Sequence, residues 1–173
     1  MDLTRGEFLR SVVLKTGAVA IGGLVWTNRA AAQMGGSKNK KKDKGPRLPL
    51  EQVEEFVRVA HFDLDRIASL LEEQPKLINA AWDWGGGDWE TALGAAAHMG
   101  RRDIALHLLD HGARIDVFAA AMLGKLDIVK AAIEAYPETR EVLGPHGIPL
   151  IRHAEKGGEE AKTVLAYIES LGK

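Results

Sequence analysis

Residues 90–116 read ETALGAAAHMGRRDIALHLLDHGARID, and their spacing predicts the fold. Thr91 stands where a helix N-cap belongs, its hydroxyl free to accept a hydrogen bond from a first-turn N–H. Leu93, Ala96 and Ala97 form a narrow apolar face, and Gly100 ends the helix where a left-handed residue is wanted. A second helix follows, with Ile104, Leu108 and Leu109 turned inward and Ala105 between them. Gly112 closes it. The stretch is one complete helix–turn–helix unit.

The same punctuation recurs along the chain. Ala97 precedes Gly100 by three residues, as Ala121 precedes Gly124 and Ala154 precedes Gly157. Gly124 and Gly157 lie 33 residues apart, whereas Gly100 and Gly124 are separated by only 24. Together Thr91-Ala92-Leu93-Gly94, Ala96-Ala97, Gly100, Leu108-Leu109, Gly112-Ala113 and Asp116 resemble the ankyrin repeat, whose T-P-L-H opening reads T-A-L-G here. The resemblance implies an all-α solenoid of about four helix–turn–helix units, in which each buries its apolar face only by stacking on a neighbour. The third unit is expected to lack its hairpin finger, because Asp116-Val117-Phe118 runs directly into Ala119-Ala120-Ala121. The first unit starts around Phe56, with Asp63 in the glycine place and a partner helix over 65–73, and Pro75 follows it. The fourth opens at Gly147-Ile148-Pro149-Leu150, and its second helix starts late, after Gly158.

Composition agrees with thin, closely stacked helices. Hydrophobic residues make up 46% of the 173 positions but aromatics only 6%, so Ala, Leu, Ile and Val must build the core. The absence of cysteine excludes disulfides and thiolate metal sites. Residues 1–46 carry nine Lys/Arg against three Asp/Glu, whereas 47–173 carry fourteen against twenty-one. An acidic folded part argues against nucleic acid, which needs a basic face.

Residues 1–32 read as an export signal, giving domains of 1–32 (signal), 33–47 (basic flexible linker) and 48–173 (repeats). Arg5 and Arg10 flank Phe8 and Leu9, a mostly apolar run extends from Ser11 to Trp26, and Ala30-Ala31-Ala32 offers a cleavage site before Gln33. Leu3-Thr4-Arg5-Gly6-Glu7-Phe8-Leu9-Arg10 is similar to a twin-arginine signal with Gly6 in place of the second Arg. The expected location is therefore the bacterial periplasm, or the membrane surface if the signal stays attached. The run from Lys38 to Lys44 is a solvated tether that can touch anionic lipid head groups transiently.

The finger before the second unit is unusual. Trp82, Trp84 and Trp89 fall within eight residues and flank Gly85-Gly86-Gly87. These rings either fold back over the first unit in place of a regular hairpin, or act as interface anchors. Aligning the units by their Ala-x-x-Gly places His61, His98, Met122 and Glu155 in one row and Phe62, Met99, Leu123 and Lys156 in the next. The candidate partner-binding residues are Trp84, Asp88, Trp89, Glu90, His61, Phe62, His98, Met99, Met122 and Leu123. No catalytic motif, cofactor loop or metal motif is legible. His107 and His111 lie one helical turn apart, but Leu108 stands where a metalloprotease helix needs Glu, and a C-terminal capping role suits His111. The expectation is a monomeric, non-enzymatic module that binds a protein. The alternative is a small carbohydrate-binding protein or hydrolase using the tryptophans with Asp83, Asp88 and Glu90.

Overall fold

The computed structural model of the protein describes residues 44–172, so the signal, its cleavage site and most of the basic linker lie outside the described residues. The described chain is mostly helical. Its elements are α1 (Leu50–Val59), α2 (Leu64–Glu73), β1 (Ala81–Asp83), β2 (Trp89–Thr91), α3 (Ala92–Met99), α4 (Arg102–Asp110), α5 (Val117–Met122), α6 (Leu126–Ala135), α7 (Leu150–Lys156) and α8 (Lys162–Ser170). Short 3₁₀ turns follow α2 and α6 and precede α7 and α8. Among the described residues no helix is long and apolar enough to cross a membrane.

Side-chain caps start three of the helices. Asp63 accepts from the Arg66 N–H, Thr91 from Gly94 and Asp116 from Ala119, at 2.9, 3.1 and 2.8 Å. Each satisfies an orphan donor and stabilises its helix by about 1 kcal/mol. Asp63, which occupies the glycine place in the first unit, thus serves as a cap. Gly100 and Gly124 take the left-handed conformation at φ 72° and end their turns.

The helices pair as α1/α2, α3/α4, α5/α6 and α7/α8, and the first members of the pairs pack on one another. α3 is buried all round, from Ala92 through His98. α5 divides the core: Ala119, Met122 and Leu123 join the cluster of α1–α4, and Ala120 and Ala121 join that of α6–α8. Because α5 has only six residues and no finger before it, α7 also reaches α3. The fourth pair therefore folds back toward the second.

The inward set of α4 differs from the sequence expectation. Ile104, Ala105 and Leu108 are fully buried, but Leu109 is only half-buried. The i, i+4 pair 104/108 defines the inner face, and Leu109 lies about 100° further round the helix.

A regular hairpin forms where the finger was expected. β1 and β2 pair antiparallel, with Trp82 opposite Glu90 and Asp83 opposite Trp89. Gly85, Gly86 and Gly87 all have positive φ, which a side chain would strain. Asp83 Oδ1 accepts the N–H groups of Gly85 and Gly87, at 2.9 and 3.2 Å, and fixes the turn.

Candidate functional site

Strand alternation decides which finger residues are available. Trp89 points outward and is 61% exposed, whereas its neighbour Glu90 points inward and is 1% exposed. Trp82 and Trp84 pack against the first core cluster, and the Trp84 ring N–H donates to Glu90 Oε2 at 2.8 Å. Phe62 and Met99 are 56% and 46% exposed. Met122 and Leu123, by contrast, are buried and offer no surface to a partner. The fourth pair covers this end of α5, to the point that a Cβ on Gly157 would lie 2.1 Å from the Met122 carbonyl oxygen. The predicted rows are therefore interrupted at Met122 and Leu123, with Glu155 and Lys156 exposed beyond the gap.

The row residues His61 and His98 converge with Glu90 in a polar cluster that includes a residue sequence reasoning missed, His146. His61 Nε2 lies 3.1 Å from His98 Nε2 and 3.6 Å from Glu90 Oε2. Glu90 Oε1 lies 3.0 Å from His98 Nε2, outside hydrogen-bonding alignment, and has no hydrogen-bond partner. His146 Nε2 comes within 3.4 Å of Glu90 Oε2. The four side chains belong to the end of α1, β2, α3 and the turn before α7. This convergence follows from α7 folding back toward α3.

Asp88 clamps His146 twice. Its Oδ1 accepts the His146 backbone N–H at 2.8 Å, and its Oδ2 faces Nδ1 at 2.7 Å. His146 has φ 59°, the one positive value outside glycine among the described residues, a conformation that costs free energy unless its surroundings hold it. The donated backbone N–H, together with the ring, keeps the Asp88 carboxyl below its usual range against the smaller opposing effect of burial. Burial pushes the Glu90 carboxyl up, yet the close approach of His98, the Trp84 N–H and the charge of His61 outweigh it, leaving Glu90 below the usual carboxylate range. All three carboxylates considered for a sugar platform are thus engaged: Asp83 in the hairpin turn, Asp88 on His146 and Glu90 inside.

Chemically, the cluster offers three imidazoles and one carboxylate with their donor atoms within 4.8 Å of one another, a set able to hold a divalent cation. The only sequence hint of His146 was Pro145-His146-Gly147, a turn signal carrying a titratable ring. His107 and His111 are arranged differently. Their ring centroids are 4.2 Å apart, and His111 Nδ1 bonds the His107 carbonyl in the last turn at 2.8 Å.

A second buried imidazole besides that of His98, His153, lies on α7 beside Phe118. Its Nδ1 donates to the Pro149 carbonyl at 3.1 Å, while Nε2 is buried without a partner. Burial holds its pKa below the ordinary histidine value; the Pro149 contact opposes this, His98 adds to it and Asp116 opposes it. A histidine with a depressed folded-state pKa contributes stability that is present above its unfolded value, near 6.5, and is lost as pH falls through the folded value. The thermal midpoint should therefore fall on acidification from pH 7.5 through 6 and below. His153→Asn keeps a donor for Pro149 but does not titrate, so its midpoint should start lower and fall less steeply over the same window. Parallel slopes for the two proteins would remove His153 as the cause.

No family model matches the chain, and comparison with curated proteins and with solved structures finds no match.

Proposed function

We propose that residues 48–173 are an ankyrin-type stack of about four units, the third without a finger, working as a non-enzymatic module that binds a protein partner. Its place is the bacterial periplasm or cell envelope, following the export signal read in residues 1–32, with the basic run held as a tether and the molecule acting as a monomer. The reading rests chiefly on Trp89. The hairpin buries Glu90 and packs Trp82 and Trp84, yet leaves the neighbouring Trp89 61% exposed. An exposed tryptophan on a turn-fixed hairpin loses little further freedom on binding, and such residues dominate interface energetics. Phe62 and Met99 add exposed apolar surface on the first and second units.

Trp89→Ala should weaken capture of the partner by about 2 kcal/mol or more, which is roughly thirtyfold in affinity. Its thermal midpoint should stay at the wild-type value. The measurement is retention of periplasmic proteins by the immobilised full chain and by the variant, alongside melting of both. A lowered midpoint with unchanged retention would make Trp89 a packing residue and overturn the reading.

A further inference from the structure

The geometry points to a metal site: we propose that the Nε2 atoms of His61, His98 and His146, with the Glu90 carboxylate, bind one zinc ion that joins the finger to the first, second and fourth helix pairs. This inference is independent of any protein partner.

The first observation is distance. A tetrahedral zinc site with bonds of about 2.0–2.1 Å places neighbouring ligand atoms about 3.3–3.4 Å apart. The contacts here are 3.0 Å (His98 to Glu90 Oε1), 3.1 Å (His61 to His98), 3.4 Å (His146 to Glu90 Oε2) and 3.6 Å (His61 to Glu90 Oε2), so the carboxylate presents both oxygens to the three rings. Pairwise polar contacts account for the two shortest of these distances one pair at a time. A single central ion accounts for three imidazole nitrogens and the carboxylate all facing one point.

The second observation concerns which nitrogen is free. His61 Nδ1 faces the carbonyl oxygens of Val57 and Arg58 at 3.2 and 3.0 Å. Carbonyls only accept, so in the neutral ring Nδ1 carries the proton and the Nε2 lone pair is left facing the cluster. His146 Nδ1 faces the Asp88 carboxylate, which likewise holds the proton on Nδ1 and frees Nε2. Metal-bound imidazoles are oriented in just these two ways, by a backbone carbonyl or by a carboxylate. The strained turn at His146, clamped by Asp88 through backbone and ring together, aims its ring at the same point.

Third, Glu90 is buried, its Oε1 lies 3.0 Å from His98 Nε2 without an aligned hydrogen bond, and among the described residues no Lys or Arg forms an ion pair with it. A buried carboxylate demands a countercharge. A divalent ion at the focus of the three rings supplies one and satisfies Oε1. The nitrogen-rich, thiolate-free donor set suits zinc and its neighbours rather than calcium or magnesium. A groove of about 360 Å³, bordered by Arg58, Phe62, Trp84, His61 and His146, gives the ion a way in from solvent. Four protein ligands fill a tetrahedral shell, so the site is structural and leaves no position for hydrolytic water.

The test uses untagged full-length protein, stripped with chelator and titrated with zinc by calorimetry and with cobalt by visible absorption. One zinc per chain is expected, with the intense visible bands of tetrahedral cobalt and a thermal midpoint that rises on zinc addition. Glu90→Gln and His146→Ala should each weaken binding at least 100-fold. Asp88→Asn should weaken it 10- to 100-fold, because it only orients a ligand. A His107→Ala/His111→Ala double variant should bind as the wild type does. Since His146 is exposed, its variant keeps the test decisive even if Glu90→Gln does not fold. Zinc affinity unchanged in His146→Ala, binding lost in the double variant instead, or weak octahedral cobalt bands would each overturn the proposal.

Discussion

Leu108→Ala is expected to cost about 3 kcal/mol of stability, within the range of buried leucine truncations. Leu108 is fully buried on α4 and belongs to the cluster that includes Phe56, Ile67, Leu77 and Ile104. Truncation leaves a cavity bounded by helices that also hold other contacts, so collapse around it is limited. Leu109→Ala should cost about 1 kcal/mol, since that side chain is only half-buried and solvent can refill part of its place. Urea unfolding of both variants checks the ordering. Equal losses would mean that α4 is rotated by about one residue from the structure.

The two leucines also mark how far sequence reading could go. Apolar periodicity located α4 and its end at Gly112, because capping and left-handed signals are local. It could not choose between adjacent leucines, since both fall within an inward arc and only the neighbouring helices decide which is covered. The rows had the same weakness. Aligning Ala-x-x-Gly correctly brought His61 and His98 into one register. The same alignment offered Met122 and Leu123 as surface, because the fold-back of the fourth pair is a tertiary event with no periodic signature. His146 escaped for that reason too. It lies on a turn outside the helical register, and only the approach of α7 to α3 carries it to Glu90.

Gly124→Ala should be comparably damaging, at about 3 kcal/mol, combining the left-handed backbone penalty with overpacking. Gly124 has φ 72°, and a Cβ there would sit 2.0 Å from the Glu160 carbonyl oxygen. Backbone cannot rotate out of the way as a side chain would. Gly112→Ala provides the comparison: φ is 90°, but nothing lies within 4 Å of the added atom. It should lose only the conformational part, about 1–2 kcal/mol. Thermal or urea unfolding of the pair separates the two effects, and equal losses would show that the Glu160 segment yields freely.

The contact between α3 and α7 changes the thermodynamic character of the stack. In a linear array each unit feels only its immediate neighbours, so the ends can fray and an interior unit can persist without them. Here the fourth pair leans on the second as well as the third, and Asp88 holds the backbone of His146 across 58 positions of sequence. Such a closure turns a one-dimensional chain of couplings into a loop. Detaching the C-terminal pair then breaks two interfaces and the Asp88 clamp at once, so terminal opening draws its cost from the middle of the molecule. The short α5 thereby couples the second and fourth helix pairs directly, so that both take part when the C-terminal pair detaches.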